Sequence, residues 1–425
     1  MKSVTMIAWE LDPFFVRGGT AYAIRRLADQ LTGLGIETRV LLPDWPACVD
    51  PRPGKNLIPV PLKMRDGIRR SPRVVQCSEF CRVALEAVEE IRTNAQSDAV
   101  IAHSDEGAMF TILRNGKKSC EPSVFWLHSL YDPPIGDLSK DQRRVVASQS
   151  LLASAVMMAD IVVTSTGILK DAREFEWPDR LKALQKALTI ASAEHRVLTV
   201  ESMGCLPERP KNSPNRLAES SNLQNLPSPY VLFPCRPSVD KGLGIFAAIA
   251  ERLRADNIAC VAVERPGNGA KAEKRKDFIY WLPWLAQDEL LVAMRNAACT
   301  VLPSITEGFG LAAAESISHG VTTLYQEVGG HHSLQGLPNA LPVPLTTSER
   351  ARLYDLWSEL IDVDPNSWDV WTRHEFSLRP LVDKWVEAIR SVVHRTGGGV
   401  KETNFFEPPV EERWGNKLRH RIDNM

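Results

Sequence analysis

The stretch Pro303-Ser-Ile-Thr-Glu-Gly-Phe-Gly-Leu-Ala-Ala-Ala-Glu315 places two carboxylates eight residues apart around a Gly-Phe-Gly turn. The apolar run before it, Cys299 to Leu302, reads as a buried parallel strand, and Leu311 to Ile317 reads as the helix that follows. Glu307 then sits on the connecting loop, and Glu315 lies about a turn and a half into the helix. Backbone N–H groups at such a helix start, with Gly308 and Gly310 allowing close approach, can hold a diphosphate. A carboxylate beside them can accept hydrogen bonds from sugar or ribose hydroxyls. Two glutamates at this spacing are common on solvated helices. The Pro-Ser-x-x-Glu-Gly-Phe-Gly-Leu context is what makes the stretch specific.

Outward from this stretch, apolar strand-like runs alternate with helical patterns, which argues for parallel sheets covered on both faces. The first half carries such runs at 4–9, 38–42, 99–103, 124–128, 161–164 and 197–200, and the second at 230–234, 258–263, 278–281, 299–302 and 321–325. Between them, Pro207 to Pro229 is rich in Pro, Asn and Ser and reads as an interdomain linker. A second break follows Thr396, where glycines precede a charged tail, 396–425, expected to be mobile or loosely packed. The segment before it has an amphipathic pattern through Leu381, Val382, Trp385, Ile389 and Val393.

The 425 residues suffice for two domains, and the balance of 51 basic against 52 acidic residues gives no pull toward nucleic acid. No apolar run reaches membrane-spanning length, and Val4 to Trp9 is too short for a signal peptide core, so the expected location is cytoplasmic. The eight cysteines lack C-x-x-C pairing and read as reduced, mostly core thiols. Cys77 and Cys81 share a helix face without a second ligand pair, so no metal is expected there. Asp362-Val-Asp reads as a solvated helix end before Pro365. Lys63, Arg65, Arg69, Arg70 and Arg73 face only Asp66, a basic run at 63–73 that reads as a solvated loop or a contact for anionic lipid or a phosphorylated acceptor.

The opening stretch resembles the E-x7-E signature of retaining glycosyltransferases with the GT-B fold, especially the large family 4 and its glycogen and starch synthase relatives. That resemblance implies an α/β chain of two Rossmann-like doubly wound parallel-sheet domains facing an interdomain cleft. The acceptor-side domain would span 1–206, and the nucleotide-sugar domain 230–372. A helix at 373–395 would cross back to the first domain. Glu307 would face the donor sugar and Glu315 the ribose, with Gly308, Phe309, Gly310 and Leu311 lining the donor.

Three further segments carry the resemblance. Trp9-Glu-Leu-Asp-Pro-Phe-Phe-Val-Arg-Gly-Gly-Thr20 lacks the dinucleotide G-x-G-x-x-G but resembles the GT-B Gly-Gly loop, which implies that Gly18 and Gly19 reach the donor diphosphate. Val16 stands where glycogen synthases carry a lysine, with Arg17 beside it. Val231-Leu-Phe-Pro-Cys-Arg-Pro-Ser-Val-Asp-Lys-Gly-Leu243 resembles the family's strand followed by Gly-Arg and Lys-Gly, with Cys235 replacing the usual glycine. It implies that Arg236 and Lys241 clamp the diphosphate, where two fixed cations stabilise charge on a leaving nucleotide. His128 ends the strand Ser123-Val-Phe-Trp-Leu-His, where doubly wound sheets bind ligands, and resembles the family's active-site histidine. Arg17 and His103 are the acceptor-side candidates, and Gly329-Gly330-His-His resembles the family's second Gly-Gly loop.

The implied reaction is transfer of a sugar from a nucleotide-diphosphate sugar to a glycan, lipid-linked or small-molecule acceptor, with retention and with no metal or cofactor beyond the co-substrate. His128 and Glu307 would be its catalytic residues. The family's Pro-Asn-Gly before the linker is replaced by Glu201-Ser-Met-Gly-Cys, so a non-catalytic sugar-nucleotide or glycan-binding subunit stays open, as does a phosphorylase or epimerase.

Overall fold

The computed structural model describes residues 1–9, 19–44, 57–68, 73–94, 97–115, 121–128, 142–177, 179–201, 223, 226–238, 240–264, 278–361, 368–396 and 414–425. They fold as two compact units, the first formed by residues up to 201 together with 414–425, the second by residues 223–396. The linker expected at 207–229 lies outside the described residues except for 223 and 226–229, as do Gly18, Arg17, Arg69 and Arg70.

In the first unit, β1 (Ser3–Ile7), β2 (Glu37–Pro43), β3 (Leu57–Leu62), β4 (Val100–His103), β5 (Ser123–Trp126), β6 (Ile161–Ser165) and β7 (Val197–Val200) make a parallel sheet in the order β3-β2-β1-β4-β5-β6-β7. Strands β1, β4, β5 and β6 are buried at every position, as expected when helices cover both faces. Helix α1 (Gly19–Gly33) buries Ile24, Leu27, Ala28 and Leu31, and α2 (Arg73–Asn94) buries Phe80, Cys81, Ala84 and Val88, both at helical spacing. Phe80 meets Trp9 edge to face in the core under β1 and β2.

The second unit holds β8 (Tyr230–Phe233), β9 (Ala259–Val263), β10 (Ile279–Leu282), β11 (Cys299–Leu302), β12 (Thr323–Gln326) and β13 (Ala340–Val343), again all parallel, in the order β10-β9-β8-β11-β12-β13. Both sheets therefore reverse direction of winding once, between β1 and β4 and between β8 and β11, and ligands bind in such sheets outside the strand carboxyl ends at that point.

Two edge strands were not foreseen, and proline is the reason. Strand β3 contains Pro59 and Pro61, and β13 contains Pro342. The Leu62 carbonyl accepts from Asp44 N, so the alternation of the backbone points Pro59 and Pro61 to the open side of the sheet. The Asn339 carbonyl accepts from Thr323 N, which turns Pro342 outward in the same way.

Helix α11 (Trp368–Thr396) uses the stripe Leu381, Val382, Trp385, Ile389 and Val393 within the second unit, packing on α7 (Leu243–Leu253). Arg252–Asp383 and Arg390–Asp256 ion pairs, at 2.9 and 2.8 Å, tie the same surfaces together. The chain rejoins the first unit further on, through α12 (Trp414–Asp423). The tail expected to be loosely packed thus carries a docked helix: Leu418 and Ile422, four residues apart, are buried, and Gly415 N donates to Gln30 Oε1 at 2.9 Å on α1. The charge of the segment masked this short apolar face.

Cys77, Cys81, Cys235, Cys260 and Cys299 are buried. Among the described residues, no helix is long and apolar enough to cross a membrane, and no group of three or more His, Cys, Asp or Glu side chains could hold a metal ion. Lys63 and Arg65 of the basic run are exposed, and Arg73 opens α2.

Candidate functional site

In the second unit three loops meet beyond the ends of β8, β11 and β12. The first leads from β8 to Gly242, the N-cap of α7, which has φ 76°. A Cβ there would land on the Pro303 carbonyl of the second loop, so glycine alone permits this approach. Ile305 N then donates to the Asp240 carbonyl at 2.9 Å, locking the two loops together. The second loop ends at Gly310, the N-cap of α9 (Leu311–Ser318), which has no side chain with which to satisfy the first N–H groups of the helix. The third loop joins through Gly330 N, which donates to the Glu307 carbonyl at 3.2 Å.

These loops assemble a buried cluster of alternating charge. Lys241 Nζ donates to Glu307 Oε1 at 2.8 Å and lies 3.8 Å from Asp240 Oδ2. Arg236 Nη2 lies 3.6 Å from the same Asp240 oxygen. Ser304 Oγ donates to Glu307 Oε2 at 3.2 Å, and His331 Nε2 stands 3.8 Å from that oxygen. Burial would raise the Glu307 carboxyl, but the Lys241 ammonium holds it below the usual carboxylate range. Burial opposes the charge on Lys241 too, and Glu307 and Asp240 reverse this and raise it. Asp240 is held down by Arg236 and Lys241 against the opposing effect of burial. The Cys235 thiol is pushed up to about 12 by burial and then by Glu307, so it stays neutral beside the cluster. The Arg236 and Lys241 side chains remain 27% and 21% exposed, so both cations can meet a ligand without unfolding the loop.

Of the residues expected to line the donor, Arg236, Lys241, Glu307, Gly308, Phe309 and Gly310 come together here, with Gly308, Phe309 and Gly310 buried. Leu311 and Glu315 follow on α9, both half-buried. Asp240 and His331 are the members that sequence reasoning did not assign. Asp240 adjoins Lys241 in the loop after β8, and His331 directly follows the Gly-Gly pair at the end of β12, the two signals that could have found them.

In the first unit, His103 ends β4 and His128 lies two residues beyond β5, its neighbour in the sheet. His103 Nδ1 and His128 Nε2 are 3.0 Å apart, both side chains are buried, and His128 stacks on Trp126 with centroids 4.2 Å apart. Burial pushes His103 down to about 3, and burial followed by the neighbouring His103 pushes His128 well below its usual value. Both rings are neutral near pH 7, so one donates its N–H and the other accepts. Gly19 begins α1 after β1, on the other side of the winding reversal from β4.

A family profile for the starch synthase catalytic domain matches residues 3–77. An uncharacterized glycosyltransferase of Bacillus subtilis, YqgM, is 29% identical over 147 residues, which cover 33% of this chain and 40% of that protein. Solved structures match along most of the chain. The catalytic domain of starch synthase IV from Arabidopsis thaliana, bound to ADP and acarbose, superposes with a TM-score of 0.60 at 15% identity, covering 93% of this chain and 100% of its own. Sucrose-phosphate synthase from Thermosynechococcus elongatus gives 0.57 at 16% identity over 93% and 98% of the two chains. A glycosyltransferase from Rickettsia africae gives 0.55 at 14% identity over 100% and 98%. The chain has the GT-B fold, two doubly wound parallel-sheet units of seven and six strands.

Proposed function

We propose that this chain is a retaining glycosyltransferase that moves a sugar from a nucleotide-diphosphate sugar to an acceptor. The observation that carries the reading is the Lys241–Glu307 pair at 2.8 Å, set where the second sheet reverses its winding and beside the uncapped start of α9. Two part-exposed cations and a helix N-terminus suit a diphosphate, and a carboxylate next to them suits the hydroxyls of the sugar it carries. The local match to a starch synthase profile and the likeness to a starch synthase fold with ADP bound support the same class.

On this reading Arg236, Lys241 and the first turn of α9 stabilise charge on the departing nucleotide. Glu307 positions the donor sugar, Glu315 holds the ribose, and the neutral His128 hydrogen-bonds the sugar near the reacting carbon. None of these side chains is placed in the role of covalent nucleophile, so retention, which the E-x7-E resemblance implies, requires the acceptor to attack from the face the nucleotide leaves, with the leaving phosphate taking up its proton. The cations supply the leaving-group stabilisation that a divalent ion would otherwise give, so turnover needs no added metal.

Calorimetric titration of ADP-, UDP- and GDP-sugars against the purified chain, followed by product analysis with a panel of glycan and small-molecule acceptors, tests the proposal. Binding of one nucleotide sugar and transfer that survives chelator is expected. Binding without transfer to any acceptor would favour a sugar-nucleotide-binding subunit, and activity restored only by magnesium or manganese after chelation would overturn the metal-free mechanism.

A further inference from the structure

His331 is fully buried in the turn after β12, and its Nδ1 lies 2.9 Å from the Gln326 carbonyl oxygen. A carbonyl only accepts, so Nδ1 carries the hydrogen, and in the neutral ring Nε2 bears a lone pair. That Nε2 has no hydrogen-bond partner and faces Glu307 Oε2 at 3.8 Å. Two acceptors face each other in a buried site, an arrangement that becomes favourable once Nε2 holds a proton. The ring is fixed in this position: it fills the space over Gly310, where a Cβ would come within 2.5 Å of its Cδ2, and Tyr325 packs against it with centroids 5.4 Å apart.

The groups around the ring explain why it is neutral without ligand. Glu307 faces it from the β11–α9 loop, and Lys241, with Asp240 and Arg236 beyond it, from the β8–α7 loop; His332 lies on its own turn. Burial lowers the imidazole below its ordinary value, and Glu307, whose charge favours the imidazolium, is already neutralised by Lys241 at 2.8 Å. A ligand that draws Lys241 away removes that neutralisation.

We infer that His331 is a positioning residue for Glu307, taking up a proton when the diphosphate of a sugar nucleotide draws Lys241 off the carboxylate. The inference rests on the donor-clamp reading above. The Lys241–Glu307 hydrogen bond breaks, and Lys241 Nζ donates to a phosphate oxygen. A proton from solvent adds to His331 Nε2, which then donates to Glu307 Oε2. Lys241 stays an ammonium and Glu307 a carboxylate throughout. Oε2 is then held by His331 and Ser304, while Oε1, vacated by Lys241, is presented to a sugar hydroxyl.

Because the proton is bound more tightly in the complex than in the free protein, sugar-nucleotide affinity rises as pH falls through the window between the two values, by at most about tenfold per pH unit for one proton. The test is calorimetric titration of ADP-, UDP- and GDP-glucose in paired buffers of different ionisation enthalpy, across neutral pH, using the full chain and its His331→Gln and His331→Asn variants. Each phosphate of these probes carries one ester and one anhydride bond and lacks the titrating group of a phosphate monoester. Wild type should take up a fraction of a proton to one proton per site. A variant with wild-type melting temperature should bind with no uptake and a flat pH profile. Absence of uptake in wild type, or the same uptake in the folded variants, overturns the inference while leaving the donor clamp standing. Failure of all three probes to bind wild type overturns both.

Discussion

His103 and His128 share one hydrogen bond, Nδ1 to Nε2 at 3.0 Å, at the carboxyl ends of adjacent parallel strands in the first unit. Because that bond needs one donor and one acceptor, the pair works only while at least one ring is neutral.

Burial holds His103 down to about 3 in the folded chain, against an ordinary value of 6.5. Above the ordinary value neither state binds the proton, and the stability tied to the neutral ring is fully present. As pH falls from about 6.5 toward about 3, the unfolded chain takes up a proton that the folded chain refuses, and stability is lost by an amount on the order of a few kcal/mol. Melting temperature should therefore fall more steeply through this window in wild type than in His103→Asn, and parallel profiles would remove His103 as a source of acid lability.

Replacing Lys241 with Met should weaken nucleotide diphosphate binding by about 1.5–3 kcal/mol, roughly ten- to a hundredfold, because a charge-assisted contact is lost. It should also lower the melting temperature, since Glu307 is left buried without its nearest cation. Unchanged diphosphate affinity in a folded Lys241→Met protein would take Lys241 out of the donor site.

The two glutamates should separate by kinetics. Glu307→Gln should cut turnover strongly while leaving affinity for the free nucleotide nearly intact, whereas Glu315→Ala should weaken nucleotide binding directly. A folded Glu315→Ala protein with wild-type nucleotide affinity would sink the ribose role.

Gly242→Ala should destabilise the second unit by roughly 1–3 kcal/mol, because it strains a left-handed residue and drives a Cβ into the Pro303 carbonyl. Where the variant stays folded, diphosphate affinity should fall as well, since Gly242 sets the position of Lys241. Thermal melting and calorimetry on one sample check both parts, and a loss of stability with full affinity would mean that the loop tolerates displacement.

The central strands were legible because a continuous apolar run such as Cys299 to Leu302 is too short for a helix and has no polar face to turn toward water, which leaves a strand covered on both sides. Edge strands β3 and β13 were not, because prolines break the signal and only tertiary placement shows that they point outward. In the site, Arg236, Lys241 and Glu307 stood out by their spacing around buried strands and glycines, and the structure joins all three through one ion-pair cluster. His331 stood out only as the neighbour of its Gly-Gly pair. Its relation to Glu307 comes from three loops folding together, a contact between residues 24 apart that no local pattern encodes. Helix α12 escaped for a related reason: ten residues carry too few apolar positions to outweigh their charge until α1 is there to receive them.

The outward prolines leave the two edge strands unable to recruit a neighbour. Along β13, Pro342 has no N–H, and the Ala340 N–H is already given to the Leu337 carbonyl, so neither outward position of the strand offers a donor to an incoming chain. Along β3, only Leu57 keeps an outward N–H. An approaching strand would find one donor along β3 and none along β13, too few to zip into register, so these two margins resist growth into intermolecular sheet.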